Sequence, residues 1–235
     1  MTVWTVKGGR HGEREQRLLD NGLLGGGWEQ LPTLEGVSSK EQLAELYKAS
    51  YPEMGTQAIS NYVGQLWSLV HRMQLGDLVV LPLKTTGTVA VGRITGGYAY
   101  RDDMGEDLRH CRPVQWIKLD VQRDAFDQDL LYSFGAFLTF AQVRRDNADE
   151  RVLKSMNDPV LTPKSVSVEE PTEGEEAPDV EAIAREQVRQ FVSRNFAGHD
   201  LTRVVGAILE AQGFTITVSP PGPDRGIDIL GGLVL

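Results

Sequence analysis

An acidic, proline-rich segment in the second half of the chain limits how the other residues fold. From Asn157 to Asp179 the sequence consists largely of Pro, Ser, Thr and Glu, with few large apolar side chains. Such a segment does not bury enough apolar surface to offset the entropy lost on ordering. We therefore predict a flexible acidic linker at 157–179, which separates an N-terminal domain at 1–156 from a C-terminal segment at 180–235.

Composition places the chain among globular proteins that do not enter a membrane. At 235 residues with 40% hydrophobic content, it is long enough to bury one sizeable core and a smaller second one. No apolar run reaches the roughly 18 residues that a membrane-spanning helix needs. The first ten residues contain no apolar signal core, so we expect a cytoplasmic protein. The single cysteine, Cys111, excludes an internal disulfide and a cysteine-based zinc site.

The net charge of −9 argues against a protein that coats nucleic acid non-specifically, because such binding requires many cations to neutralise phosphates. Most of the acidic excess is concentrated in and just after the linker, however, and the rest of the chain is nearly balanced. A local basic face therefore remains compatible with the composition. Its candidates are Arg10, Arg14, Lys84, Arg93 and Arg101.

The pattern of apolar residues in the N-terminal domain predicts short strands that alternate with helices. A Ser-Ser pair followed by Glu41 and Gln42 has the form of a helix capping box, and Gly76-Asp77 predicts a tight turn before a strand. Several strands of this length with helices between them predict a small, curved α+β barrel. The predicted strands are Val3–Val6, Leu78–Leu83, Thr88–Ile94 and Pro113–Leu119, and the predicted helices are Gly12–Leu19, Lys40–Lys48 and Ser60–Met73.

Several motifs in this domain occur in the order expected of one known family. The stretch from Asn61 to Lys84 contains R-M-Q-L-G-D after a helix, and V-A-V-G-R-I and R-P-V-x-W follow it. Together with the opening W-T-V-K-G-G-R, these motifs resemble the EVE domain of the PUA-like superfamily. The resemblance implies a PUA-like (EVE) curved β-barrel with flanking helices that holds one extruded, modified base. Pro82-Leu83-Lys84 departs from the aromatic-histidine-serine turn of many EVE domains.

Such a base pocket needs flat side chains for stacking and a few hydrogen-bonding groups. Trp28 follows three glycines, which would let its ring stand clear of the backbone. The alternative for Trp4 is a place in the core. The apolar segment 132–137 either passes close to the pocket or packs in the core, and we favour packing. The candidate pocket residues are Trp4, Lys7, Gly8, Gly9, Trp28, Asn61, Leu83 and Lys84.

The C-terminal segment contains a second motif with chemical meaning. An amphipathic helix at Leu201–Gly213 is followed by a β-branched strand at Phe214–Val218 and by a second short strand that opens on Asp228. With the run D-R-G-I-D-I, this order resembles the catalytic domain of the Mrr family of restriction endonucleases. The resemblance implies that Asp228 is catalytic and binds a metal ion. The alternative is an ordinary turn, in which Asp and Gly are common.

The Mrr resemblance also implies residues that the sequence does not contain. The family completes its site with a (Glu/Gln)-x-Lys on the next strand, and the chain ends before such a strand. Thr202 stands where family members often place a helix glutamate. We therefore expect a partial restriction-endonuclease-like α/β segment that does not cleave alone, since Mg²⁺ sites in nucleases usually use more than one carboxylate.

Taken together, the two resemblances imply a modified-DNA-recognising restriction protein of the Mrr type. Its expected partner is double-stranded DNA that carries modified bases, its expected cofactor in the intact nuclease is Mg²⁺, and a homodimer is compatible with cleavage of two strands. Two alternatives stay open. One is a DNA- or RNA-binding PUA-like module without catalytic activity, and the other is a protein directed to RNA alone.

Overall fold

The computed structural model describes residues 1–157, 199–219 and 228–233, together with the single positions 184, 188, 191, 192, 195 and 196. The contacts within the chain divide it into two units, Met1–Asp179 and Val180–Leu235. The acidic segment 158–179 and the D-R-G-I run at 224–227, which includes Asp224, lie outside the described residues.

The first unit is an α+β structure whose strands form one seven-stranded mixed sheet, curled into a half-barrel. Its strand order is β2-β6-β4-β3-β1-β7, and β5 pairs with β6 outside this path. Neighbouring strands are antiparallel except for the parallel pair β1 and β3. The strands are β1 (Val3–Val6), β2 (Leu23–Gly26), β3 (Leu78–Pro82), β4 (Val89–Ile94), β5 (Ala99–Tyr100), β6 (His110–Val121) and β7 (Phe140–Gln142).

Helices cover both faces of the sheet, because the central strands β1 and β3 bury side chains on each side. Trp4 and Val79 face a core formed with α2 and α3, whereas Val3, Leu78 and Val80 face a core formed with α4 and α5. The helices are α1 (Glu15–Asp20), α2 (Lys40–Ser50), α3 (Thr56–Trp67), α4 (Gln128–Phe134) and α5 (Ala148–Asn157).

The capping box predicted before α2 is confirmed. Ser39 accepts a hydrogen bond from the amide of Gln42 at 3.1 Å, and the Gln42 side chain accepts one from the amide of Ser38 at 3.0 Å. This reciprocal pairing satisfies donors that have no partner within the helix. The capping box fixes the start of α2 at Lys40, the residue at which the sequence predicted it.

The predicted helix Ser60–Met73 differs from the structure at both ends. The α-helix begins earlier, at Thr56, and it ends at Trp67, after which Ser68–Arg72 continues as a π-helix. The buried Arg112 of β6 binds the end of this segment, donating from Nη2 to the Val70 carbonyl at 2.8 Å and from Nε to the Leu69 carbonyl. Arg112 thereby satisfies carbonyl groups that the π-helix leaves without helical partners.

Two other predicted elements also change. Helix α1 begins at Glu15 and not at Gly12, because Gly12 has φ +89° and belongs to a loop. Strand β6 runs over 12 residues and extends beyond the predicted Pro113–Leu119 at both ends. Its first half pairs with β2 and its second half with β4. This division of one strand between two neighbours lets the sheet curl.

The described part of the second unit is a helix packed on a two-stranded antiparallel sheet. Helix α6 (His199–Ala211) precedes β8 (Phe214–Val218), which pairs with β9 (Ile229–Leu233). The strand predicted at Phe214–Val218 and the second strand after Asp228 are both confirmed. Gly206 permits close packing, since a Cβ there would lie 2.7 Å from Cδ1 of Ile216.

Candidate functional site

Trp4 is a core residue whose ring is anchored at the start of β3. Its side chain is 2% exposed, and Nε1 donates a 3.0 Å hydrogen bond to the Asp77 carboxylate. The Arg72 guanidinium lies over the indole at 5.3 Å from the ring centroid. The R-M-Q-L-G-D motif is thereby explained, because its arginine covers Trp4 and its aspartate binds it. Trp4 therefore occupies the core, which was the alternative to a place in the pocket. Neither face of its ring is open for stacking.

Trp28 is also buried, at 5% exposure, and does not stand clear of the backbone. Its ring contacts Phe140, His110 and Tyr62, with centroids 5.8, 6.4 and 6.5 Å away. The preceding glycines serve close packing: a Cβ on Gly26 would lie 2.9 Å from the Trp28 ring and 3.3 Å from Cγ2 of Thr139. Trp28 thus fills the space where the two edges of the curled sheet approach each other.

Five of the six remaining predicted pocket residues lie around one end of the sheet, which we call the rim. The rim comprises the loop Lys7–Arg14 after β1, the turn Leu83–Gly87 after β3, and the segment Gly135–Thr139 before β7. The loop and the segment are joined by a hydrogen bond of 3.0 Å from the Lys7 amide to the Thr139 carbonyl. The predicted Lys7, Gly8, Gly9, Leu83 and Lys84 all belong to the rim.

Gly8 and Gly9 are buried by the carboxylates of their own loop and of α1. A Cβ on Gly8 would lie 2.5 Å from Cγ of Glu15, and one on Gly9 would lie 2.3 Å from Cδ of Glu13. Gly9 also has φ +107°, a conformation that side chains other than glycine rarely adopt. The two glycines are therefore required by the loop conformation itself.

Glu15 joins the loop to the turn through a buried carboxylate. It is 2% exposed and accepts hydrogen bonds from the Lys84 amide at 2.7 Å and from the hydroxyl of Thr85 at 2.6 Å. The Lys84 ammonium extends back to donate to the Arg10 carbonyl at 2.5 Å. Leu83, at 4% exposure, packs in the core beneath the turn. These contacts hold the two basic loops in a fixed arrangement.

Asn61 does not lie on the rim, although another residue of its helix contacts the rim. Its side chain is exposed on α3, one turn before Gln65. The Gln65 side chain is 3% exposed and accepts a hydrogen bond from the Thr139 amide at 2.8 Å. Helix α3 is thus tied to the rim at Gln65, a residue that the sequence analysis did not select.

Phe137 is the rim residue that sequence reasoning missed. Its side chain is 73% exposed, whereas Phe134 in the same apolar segment is 1% exposed. The Lys7 ammonium lies 6.0 Å from the centroid of the Phe137 ring. The packing interpretation of segment 132–137 is therefore correct for Phe134 and wrong for Phe137. No periodic pattern distinguishes the two, because Phe137 lies in an irregular segment after α4.

Beside Trp28, the buried His110 pairs with the half-buried Tyr98. Nδ1 of His110 lies 2.8 Å from the Tyr98 hydroxyl, and that hydroxyl also accepts from the Leu34 amide at 3.1 Å. The imidazole is fully buried. Burial lowers the pKa of His110 to about 4, outweighing the opposite effect of the Leu31 and Trp28 backbone.

Charge at the rim is locally basic. Arg10 and Lys84 are exposed and connected through the Arg10 carbonyl, and the Arg14 amide donates to the Gly8 carbonyl at 2.8 Å. The other two arginines of the predicted basic face lie elsewhere. Arg93 binds the Gly76 carbonyl at the opposite end of β3, and Arg101 pairs with Asp103 at 2.5 Å.

In the second unit, Asp228 stands directly before β9 with an exposed side chain, and its carbonyl accepts a 3.0 Å hydrogen bond from the Ser219 amide. No group of three or more His, Cys, Asp or Glu side chains suited to a metal ion occurs among the described residues. Proteins bind Mg²⁺ through one or two carboxylates together with substrate phosphates and waters.

Comparison with known proteins gives one match. A family model described as a domain of unknown function, DUF8426, matches residues 4–132, more than half of the chain. No curated protein and no solved structure matches it. Among the described residues, no helix has both the length and the apolar character needed to cross a membrane. The matched range includes the rim loop and turn and stops before Phe137.

Proposed function

The chain belongs to the DUF8426 family, and from its own residues we propose that its first unit is a PUA-like nucleic-acid reader. In this proposal the rim holds one extruded base of a DNA duplex, and the natural targets carry modified bases. The observation that carries the proposal is the exposed Phe137 ring beside the Lys7 ammonium, at the edge of a basic loop with a fixed conformation.

The exposure of Phe137 favours a contact with a ligand. An exposed aromatic ring is a stacking surface for any base, and one stacked base contributes about 1–3 kcal/mol. That free energy offsets much of the cost of extruding a base from the duplex, which is a few kcal/mol. The proposal thus replaces Trp4 and Trp28, which are buried, with Phe137 as the stacking residue.

The rigidity of the rim favours the same function. The Glu15 carboxylate and the Lys7–Thr139 hydrogen bond connect all three rim segments. Loops held in this way lose little conformational entropy when a ligand binds, which favours affinity. Lys7, Arg10 and Lys84 supply the positive charge that contacts to phosphates require.

For the second unit we propose a relationship to the Mrr-type nucleases, which use Mg²⁺ to hydrolyse DNA phosphodiester bonds. The order of helix, strand and second strand, with Asp228 before the second strand, supports it. In this relationship Asp228 is one ligand of the Mg²⁺ ion. The alternative is a DNA- or RNA-binding module that has no catalytic activity.

The experiment that tests the reader is a binding series with the full chain. Matched fluorescent duplexes that are unmodified or carry 5-methylcytosine, 5-hydroxymethylcytosine or N6-methyladenine are titrated at fixed salt, together with single-stranded RNA. We expect one modified duplex to bind most tightly. Phe137→Ala should weaken that binding by about 5- to 150-fold, the equivalent of one lost stacking contact.

The matched control is Leu75→Ala, since Leu75 is a large apolar side chain at 68% exposure in the turn before β3. It should leave binding unchanged, and Phe137→Trp should retain the affinity of the wild type. Equal binding to every duplex would refute the reader of modified bases. Preference for the RNA would favour the RNA alternative.

A nicking readout in the same tubes, with and without Mg²⁺, tests the nuclease relationship. Cleavage by the wild type that is lost in Asp228→Ala would support it and would contradict the expectation that this chain does not cleave alone. Selective binding without cleavage would favour the binding module. The variant should melt at the wild-type temperature, because Asp228 has an exposed side chain.

A further inference from the structure

The carboxylate of Glu13 occupies a small anion-binding site made by the backbone of its own loop. Its Oε1 accepts a hydrogen bond from the Arg10 amide at 3.0 Å, and its Oε2 accepts one from the His11 amide at 2.7 Å. Hydrogen bonds from its own amide and from those of His11 and Arg10 lower the pKa of Glu13 to about 2. Successive amides that converge on two oxygens form the kind of concavity that binds phosphate in proteins.

The backbone of this loop is shaped for an anion close to the main chain. The Glu13 carboxylate lies directly against Gly9, where a Cβ would come within 2.3–2.5 Å of its atoms. Gly9 is held with φ +107° and has no side chain of its own, so the backbone stays accessible to an anion. A phosphate oxygen would accept hydrogen bonds from the same amides, from the side on which the Glu13 carboxylate lies.

Two cations lie near the site. The Lys84 ammonium donates to the carbonyl of Arg10, whose amide binds the carboxylate. The positive charge of Arg14 also lowers the pKa of Glu13. Glu13, Arg10 and His11 are all exposed, so an anion from solution reaches the site without any change in the core.

We propose that the Arg10 and His11 amides form a binding site for a nucleic-acid backbone phosphate, which Glu13 fills in the free protein and vacates in the complex. The inference rests on the proposed function of the rim. It deepens that function, because the Lys7 amide ties this loop to Thr139, two residues after Phe137. One face of the rim thus offers a phosphate site and a stacking surface to the same stretch of strand.

The direct test uses the wild-type chain labelled with ¹⁵N and titrated with inorganic phosphate. We expect the Arg10 and His11 amide resonances to shift and saturate, while the Gly76 amide at the opposite end of β3 stays constant. In Glu13→Gln the same shifts should saturate at a phosphate concentration at least about threefold lower, because the competing negative charge is gone. Constant Arg10 and His11 resonances in the wild type would overturn the proposal.

The second test is duplex binding by Glu13→Gln and by a charge-matched control. Asp20→Asn removes the same charge from the exposed end of α1, where Asp20 only accepts a hydrogen bond from Gln16. If Glu13 is displaced by a phosphate, Glu13→Gln should tighten binding at least threefold more than Asp20→Asn does. Equal changes in the two variants would mean that Glu13 acts only through long-range charge, and would contradict the proposal.

The two proposals fail in different ways. Amide shifts with phosphate but equal binding to all duplexes would retain the phosphate site and reject the reader. The opposite result is selective duplex binding that depends on Phe137, while the Arg10 and His11 amide resonances do not respond to phosphate and Glu13→Gln and Asp20→Asn change duplex affinity equally. That result would retain the reader and reject the phosphate site.

Discussion

The Trp4 indole and the Asp77 carboxylate, 73 residues apart in sequence, are joined by a buried 3.0 Å hydrogen bond. Asp77 also accepts from the amides of Thr2 and Gln74, each at 3.0 Å. One carboxylate therefore connects the chain terminus, the first strand and the turn before β3. Burial lowers the pKa of Arg112, and the negative charge of Asp77 acts in the opposite direction.

We predict that Asp77→Asn lowers the free energy of unfolding by about 1.5–3 kcal/mol, because hydrogen bonds to a charged acceptor are replaced by weaker ones. Urea unfolding of the full chain, followed by tryptophan fluorescence, measures the loss. In a double-mutant cycle with Trp4→Phe, the two changes should be less than additive. Strict additivity would show that the Trp4–Asp77 hydrogen bond contributes nothing.

Trp28 and Phe137 should respond in opposite ways to truncation. Trp28→Ala removes a ring from the core and is expected to cost about 3–5 kcal/mol of stability. Phe137→Ala removes an exposed ring and should change stability by less than about 0.5 kcal/mol. Thermal melting of both variants beside the duplex titrations separates folding from binding. A large stability loss in Phe137→Ala would mean that this ring packs in solution.

Stability should fall as the pH drops from about 6.5 towards 4, because of His110. Its folded pKa of about 4 lies below the unfolded value of 6.5, so the unfolded chain binds a proton that the folded chain does not. The contribution is complete above pH 6.5 and declines by up to about 3 kcal/mol down to pH 4. Urea unfolding at pH 7.0, 5.5 and 4.5 measures the decline.

The comparison variant for this pH series is His110→Gln, which does not titrate. Its stability should change less than that of the wild type between pH 6.5 and 5, a range above the titration of most carboxylates. Parallel curves for the two proteins would show that His110 is not the cause of the pH dependence.

Glu15 should govern the order of the turn after β3. Glu15→Gln retains one acceptor oxygen but loses the charge, so hydrogen bonds from Lys84 and Thr85 weaken by about 1–3 kcal/mol in total. Hydrogen exchange at the Lys84 and Thr85 amides should accelerate, while the amides of β3 keep their protection. Glu29→Gln, at an exposed position, is the control and should leave both unchanged.

The sequence predicted elements where local chemistry decides the conformation. The capping box at Ser38 and Ser39, the turn at Gly76-Asp77 and the strand Phe214–Val218 are all present, because each depends on neighbouring residues. Strands β2 and β7 were not predicted. Their residues Leu23–Gly26 and Phe140–Gln142 are short or rich in glycine, and only pairing with β6 and β1 makes them strands.

The site was harder to predict than the fold, since contacts between distant residues create it. Lys7, Gly8, Gly9 and Lys84 do lie together, but Glu15 and Thr139 connect them, and neither belongs to a recognisable motif. Trp28 follows three glycines, and this pattern also fits a flexible segment that presents an exposed ring. Only the approach of Thr139 from the other sheet edge shows that these glycines make room for the ring.

Strand β1 lies between β3 and β7, which pair with it from about residue 78 and residue 140 onward. During synthesis the first strand therefore emerges from the ribosome long before either of its neighbours exists. Its apolar residues Val3, Trp4 and Val6 must remain without their sheet partners until most of the first unit has been made. We expect the sheet of the first unit to close by the return of β7 to β1, a contact of high sequence separation that slows folding.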